Sequence, residues 1–263
     1  MRSKDIVLRC VSKSGVVFML VLLATVPAAA DPRRSAYDDM SPEIRAMQDD
    51  DMANPASLWV NDGEALWSQK AGAAQKSCAD CHGEASASMK GVAARYPAFD
   101  AARGKPIDLE ARINHCRETH QQAPAFRPES RDLLALTAFV GRQSRGLPIE
   151  TGDDPRLAPF IAAGRAIFAR RQGQLNLSCA ICHDDHAGKR LAGAKIPQAH
   201  PTGYPIYRLE WQSLGSLARR LRNCMVGMRA EPYAAGSDEF VALELYMMSR
   251  ARGMPSETPA VRP

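Results

Sequence analysis

The apolar positions of this chain fall into two matched sets. Leu133, Leu136 and Val140 are spaced i, i+3, i+7, and Phe240, Leu243 and Met247 repeat the spacing further along. Each set predicts an amphipathic helix with one buried stripe. Upstream of each lies a Gly-x-x-x-aromatic pattern, Gly63 to Trp67 and Gly164 to Phe168, on a helix whose small residue permits close approach by a neighbour. After each apolar helix comes an Arg-Gly-x-Pro stop, at Gly146 and Gly253, where Gly and Pro end the helix.

These likenesses share constant offsets. At 101 residues Gly63 falls on Gly164, Trp67 on Phe168 and Cys78 on Cys179. An insertion of seven residues then raises the offset to 108, which brings Tyr96-Pro97 onto Tyr204-Pro205, Arg112 onto Arg220 and Cys116 onto Cys224. At 107, Phe139 meets Tyr246 and Gly146 meets Gly253. A duplication explains them together. The expected fold is mainly α, with two tandem cytochrome c-like domains at 61–150 and 151–263 and an N-terminal extension at 31–60. The small Gly on the opening helix and the aromatic on the closing one resemble the terminal-helix contact of the cytochrome c fold. Within the extension, Pro42 and Glu43 after Ser41 predict a short helix. The Gly-, Pro- and Asp-rich stretch from Arg145 to Pro159 reads as the interdomain linker.

The N-terminal pattern is different. Arg2, Lys4, Arg9 and Lys13 precede the apolar run Val16 to Val26, and the small residues Ala28-Ala29-Ala30 follow it. This predicts a secretory signal at 1–30 cleaved near Ala30/Asp31; an uncleaved anchor is the alternative. Cleavage removes four basic residues and one acid, Asp5, so the formal charge falls from +5 to +2. A balance so near neutrality argues against a nucleic-acid partner.

Chemistry enters with Cys78-Ala79-Asp80-Cys81-His82 and Cys179-Ala180-Ile181-Cys182-His183. Two cysteines three apart on a helical turn can each form a thioether with a porphyrin vinyl group, and the adjacent histidine reaches the iron. Two covalently attached haem c groups are therefore expected, held by Cys78, Cys81, Cys179 and Cys182, with His82 and His183 as iron ligands. Zinc would need four ligands around one tetrahedral metal and does not call for His directly after each pair. Haem attachment takes place outside the bacterial cytoplasmic membrane, so the motifs and the export signal both point to the periplasm.

The opposite iron ligand decides the class of protein. Cys116 and Cys224 are the remaining thiols of the mature chain, one per repeat, at equivalent positions. His120 and Met228, aligned at 108, offer a conventional alternative, whereas His115, Met89, Met225, His186 and His200 have no such counterpart. A disulfide between Cys116 and Cys224 would suit an oxidising compartment but would have to join two domains. Thiolate ligation at both irons is the better account, and it predicts low reduction potentials because anionic sulfur stabilises ferric iron. If its segment is helical, Arg220 lies one turn before Cys224, where a guanidinium favours the thiolate and can hold a sulfonate-like group. Arg112 stands in the same relation to Cys116, so a structural or haem-propionate role is the alternative for Arg220.

With these residues in place, the chain resembles the dihaem SoxA family of bacterial sulfur oxidation over essentially its whole mature length. The likeness is carried by Asn54-Pro55 and Trp59, the helix Gly63 to Trp67, the block Ser77 to Gly83, and Arg220-Leu221-Arg222-Asn223-Cys224. It implies an L-cysteine S-thiosulfotransferase that oxidatively joins thiosulfate to a cysteine of the SoxYZ carrier. Cys224 would be the reactive ligand, able to carry a persulfide, and Arg220 would position the substrate. The partners implied are a monohaem SoxX subunit and a soluble cytochrome c acceptor. Three other functions compete. A dihaem thiosulfate dehydrogenase normally pairs one cysteine-ligated haem with a methionine-ligated one, and a dihaem peroxidase needs an iron that opens. A plain electron-transfer cytochrome would use His120 and Met228 and leave Cys224 dispensable.

Overall fold

The computed structural model describes residues 31–263, so the signal predicted at 1–30 lies outside the described residues. Helices dominate: α1 (Pro42–Asp49), α2 (Ser57–Ser68), α3 (Cys78–His82), α4 (Ala85–Ser88), α5 (Leu109–Cys116), α6 (Arg131–Arg142), α7 (Ala158–Ala169), α8 (Leu217–Gly227) and α9 (Asp238–Arg250). Between them run short strands: β1 (Ala98–Asp100), β2 (Lys105–Ile107), β3 (Arg190–Leu191), β4 (Ala194–Lys195), β5 (Ile206–Arg208), β6 (Ser213–Gly215) and β7 (Ala260–Arg262). Among the described residues, no helix is long and apolar enough to cross a membrane.

The duplication is visible element by element. Helix α2 recurs as α7, the β1–β2 hairpin as β5–β6, α5 as α8 and α6 as α9. Their caps recur too. Asp108 and Ser216 accept from the first turns of α5 and α8, and Ser130 and Ser237 do so for α6 and α9. Each satisfies a backbone N–H that the helix cannot pair internally. Both Tyr-Pro bonds, 96–97 and 204–205, are cis. The seven extra residues of the second repeat lie in the segment that folds as the β3–β4 hairpin, where the first repeat has α4.

In each repeat the opening helix packs on the closing helix through its glycine. A Cβ on Gly63 would sit 2.2 Å from the Ala135 carbonyl oxygen, and one on Gly164 would sit 2.0 Å from that of Ala242. The aromatics one turn further fill the crossing: Trp67 meets Phe139 with ring centroids 5.8 Å apart, and Phe168 meets Tyr246 at 5.4 Å.

Residues Arg33–Pro263 form one compact unit, and the two repeats are stitched within it. The start of the stretch read as a linker pairs with the matching stop of the second repeat: Pro148 bridges Pro255, with Gly146 donating to the Ser256 carbonyl and Gly253 to that of Ile149, both at 2.8 Å. Two chain segments leaving equivalent helices carry open backbone donors, and each satisfies the other. Strand β7 then runs parallel to β5 and completes the sheet β6-β5-β7. Helix α6 consequently buries more than its predicted stripe. Leu136, Phe139 and Val140 face the first-repeat core with Trp67, while Leu134 and Ala138 pack against Tyr207, Leu214 and Val261 of the second-repeat sheet.

The N-terminal extension ties these parts together. Arg33 donates to the carbonyls of Arg250 and Arg252, and Ser35 bonds to Glu257. The buried Gln48 accepts from the Val261 N–H at 3.0 Å and from the Arg262 guanidinium. Asn54 donates to the Pro259 carbonyl at 3.2 Å.

Candidate functional site

Helix α3 presents the first attachment motif. Ser77 caps it by accepting the Asp80 N–H at 3.0 Å while the Asp80 carboxylate accepts the Ser77 N–H at 2.8 Å, a reciprocal box that holds the Cys78–His82 turn. Trp67 donates from its indole N–H to the Gly83 carbonyl at 3.0 Å, and its ring lies 5.8 Å from the His82 ring. Ser178 similarly caps the second motif by accepting the Ile181 N–H at 3.2 Å, and the turn continues in π-helical geometry over Ile181–Asp185.

His183 is the better defined of the two histidines. Its Nδ1–H donates to the Pro197 carbonyl at 2.7 Å. Burial holds the imidazole below its ordinary pKa, with the nearby Arg220 and Arg250 acting the same way. The ring is therefore neutral, its proton sits on Nδ1, and Nε2 is left as a lone-pair donor for a metal. Arg250 steadies this region by pairing with Asp184 at 2.6 Å while its guanidinium lies over the Phe168 ring.

Cys116 ends α5 and Cys224 lies in α8, both half-buried. Each faces the attachment motif of its own repeat. Burial and then Cys116 raise the Cys78 thiol, and burial and then Cys224 push the Cys179 thiol up to about 11. Such thiols stay protonated at neutral pH unless they are alkylated or bound to metal, and a thioether to haem would remove the ionisation at Cys78 and Cys179. A paired-cysteine turn, a histidine with a single open nitrogen and a third sulfur beside the pair form a donor set that fits a c-type haem. All six cysteines among the described residues are unpaired. Met228 is packed into the second-repeat core with Phe168, Leu221 and Met225, and His120 is exposed on the turn after α5. His115 stacks its polar edge against Arg103 and Thr119, Met89 packs at the rim of the first core, and His186 donates to the Ile181 carbonyl.

The arginines one turn before the two sulfurs differ in their surroundings. Arg112 pairs with Asp100 at 2.9 Å. Arg220 lines a cavity of about 480 Å³ together with Lys195, His200, Tyr204, Arg208 and Arg262. No carboxylate or other hydrogen-bond acceptor meets its guanidinium among the described residues. Lys195 pairs with Asp39, and Arg262 with Glu257. Sequence reasoning missed Pro197 and Arg208. The Pro197 carbonyl is a backbone group reached only through folding and left no residue-type signal. Arg208 was available through the 108-residue offset.

Comparison with known proteins places this arrangement. The family model of the SoxA/TsdA cytochrome c domain matches residues 62–149 and 163–256. The chain is 37% identical to the L-cysteine S-thiosulfotransferase subunit SoxA of Pseudaminobacter salicylatoxidans, over 90% of this chain and 86% of that protein. It is 36% identical to the subunit of the same name from Rhodovulum sulfidophilum, over 88% and 81%. The crystal structure of SoxXA from P. pantotrophus superposes with a TM-score of 0.85 at 33% identity, covering 88% of this chain and 87% of that one.

Proposed function

The chain belongs to the SoxA family of L-cysteine S-thiosulfotransferase subunits, and we propose that its second repeat carries the transferase centre, with Cys224 as the reactive thiol and Arg220 binding an anionic substrate. One observation carries the assignment: Arg220, unlike Arg112, has no acidic partner and opens onto a cavity. A charge left uncompensated in a partly buried place is costly unless a ligand supplies its counter-charge. The substrate that suits it is a sulfur oxyanion, which a guanidinium grips through forked hydrogen bonds.

The reaction is the oxidative joining of thiosulfate to a cysteine of the SoxYZ carrier. The carrier's S–H proton is lost, a sulfur–sulfur bond forms, and two electrons are released. Bound haem supplies a redox iron that takes up electrons. Cys78, Cys81, Cys179 and Cys182 would hold two haem c groups through thioethers. His82 and His183 would each supply one ligand to an iron, and Cys116 and Cys224 a second one. The Nδ1–H bond to Pro197 keeps His183 oriented, and Arg220 lies one turn before Cys224 on α8. The partner is a monohaem SoxX subunit, the electron acceptor a soluble cytochrome c, and the compartment the periplasm after cleavage near Ala30/Asp31.

The test compares Cys224→Ala and Cys116→Met in the haem-loaded complex by electron paramagnetic resonance and by conjugation of thiosulfate to the carrier. Lost conjugation with both haems retained in Cys224→Ala supports the assignment. Unchanged turnover in that variant, or a methionine or nitrogen ligand opposite His183, rejects it.

A further inference from the structure

The β1–β2 and β5–β6 hairpins have the same register but opposite charge at one place. In the first, Asp100 closes β1 opposite Lys105; in the second, Arg208 closes β5 opposite Ser213. The 108-residue offset that joins Arg112 to Arg220 and Cys116 to Cys224 also joins Asp100 to Arg208. In the first repeat the acid is tied down: Asp100 accepts the N–H groups of Ala102 and Arg103 and pairs with Arg112. That arginine is fully compensated. In the second repeat the same position adds a cation to the cavity that Arg220 lines instead of removing one. Arg208 is held below its ordinary pKa first by burial and then by the Arg220 charge.

The protein offers this pair one acid, Glu210. Arg208 Nε forms an ion pair with Glu210 Oε1 at 2.9 Å, on a half-exposed carboxylate, and is buried without a hydrogen-bond partner. Both arginines line the same cavity, where Lys195 is paired with Asp39, Arg262 with Glu257 and Arg208 with the half-exposed Glu210, which leaves Arg220 without an acid among the described residues. Two adjacent guanidiniums with unfilled donors match the two charges and several oxygens of a sulfur dianion better than either does alone.

We infer that Arg208 is a second substrate-binding residue, which with Arg220 forms a two-armed clamp for a divalent sulfur oxyanion beside Cys224. This rests on the assignment of the transferase centre to the second repeat. A haem carboxylate is the competing counter-charge for Arg208. The first repeat argues against it, since the equivalent attachment motif there is served by an acid, Asp100, at the same place. The charge reversal thus separates a repeat that only has to hold its haem from one that also has to admit an anion.

The experiment titrates the haem-loaded SoxX-paired protein with thiosulfate and with sulfite by isothermal calorimetry at two salt concentrations, using wild type, Arg208→Gln and Arg208→Asp. Arg208→Gln should weaken dianion binding at least tenfold and flatten its salt dependence, with haem potentials and visible spectra unchanged. In turnover, KM for thiosulfate should rise while KM for the carrier stays constant. Arg208→Asp should abolish binding by pairing with Arg220 as Asp100 pairs with Arg112. Wild-type affinity in Arg208→Gln overturns the clamp, and so does unchanged affinity accompanied by a shifted haem potential, which would assign Arg208 to a haem carboxylate. Failure of the transferase assignment is read separately, as retained conjugation in Cys224→Ala.

Discussion

His183 donates its Nδ1 proton to the carbonyl of Pro197, fourteen residues further along, at 2.7 Å. The bond joins the attachment motif to the loop that follows the β3–β4 hairpin, and it fixes which ring nitrogen remains free to bind a metal. Loosening that loop should therefore act on the metal centre without touching a ligand. Pro197→Gly is expected to broaden the resonance signal of the second haem and lower turnover roughly 10- to 100-fold, the usual effect of losing support behind a metal-bound histidine. The signal of the first haem should not change, and comparison of the two in one spectrum provides the check.

The glycine crossings make a stability prediction. Gly164→Ala forces a methyl group against the Ala242 carbonyl, where helix backbones and not flexible side-chain ends must move. It should cost about 1–3 kcal/mol of unfolding free energy, the typical range for overpacking. Gly227→Ala is the matched control: a Cβ there meets nothing within 4 Å. It should be neutral or stabilising by up to about 1 kcal/mol, because alanine is the better helix former. Denaturant unfolding of both variants separates packing from propensity.

The C-terminal strand depends on one side chain of the extension. Gln48→Leu removes the acceptor of the buried Val261 N–H and one partner of Arg262. A loss of about 1–3 kcal/mol is expected, the cost of leaving a buried donor unpaired. Limited proteolysis should then cut near β7 before any other site, which distinguishes local release of the strand from global destabilisation.

A pH dependence is built into the seam between the repeats. Asp108, Glu110, Glu129 and Glu244 line one cavity of about 300 Å³ together with Arg219 and Arg222. Burial, followed by the charges of Asp108 and Glu129, raises Glu110 from 4.5 to about 8, and burial together with Asp108 and Glu110 raises Glu244 as well. The folded state therefore holds protons that the unfolded state has lost. Stability from these groups is complete below the ordinary carboxylate range and declines as pH rises through about 8. Unfolding free energy measured between pH 5.5 and 8.5 should fall, and Glu244→Gln should reduce the slope. Asp51, lowered chiefly by its hydrogen bond to Arg142, acts in the opposite direction, and only at lower pH.

Much of this was legible along the chain. The two apolar stripes, the Gly-x-x-x-aromatic helices and the attachment motifs depend on spacing within a few residues, and spacing is a property of the sequence itself. Constant offsets then exposed the duplication and aligned Cys116 with Cys224. The stripe on α6 was only half of its burial, however. Leu134 and Ala138, on the other face, found the second-repeat sheet, a surface that exists only once the repeats are docked. The stretch read as a linker likewise spends its first residues pairing with the stop of the other repeat.

The linear order thus determined which groups each repeat owns: two thiols, an imidazole, a third sulfur, and an arginine one turn before it. Tertiary structure decided what those groups experience. Arg112 and Arg220 are identical residues at identical repeat positions, yet a carboxylate reaches one across a hairpin and another guanidinium lies near the other. Covalent spacing specifies local geometry, whereas charge compensation depends on which side chains arrive from distant parts of the chain. That difference gave two copies of one design an arginine paired with an acid in the first repeat and, among the described residues, one without an acid in the second.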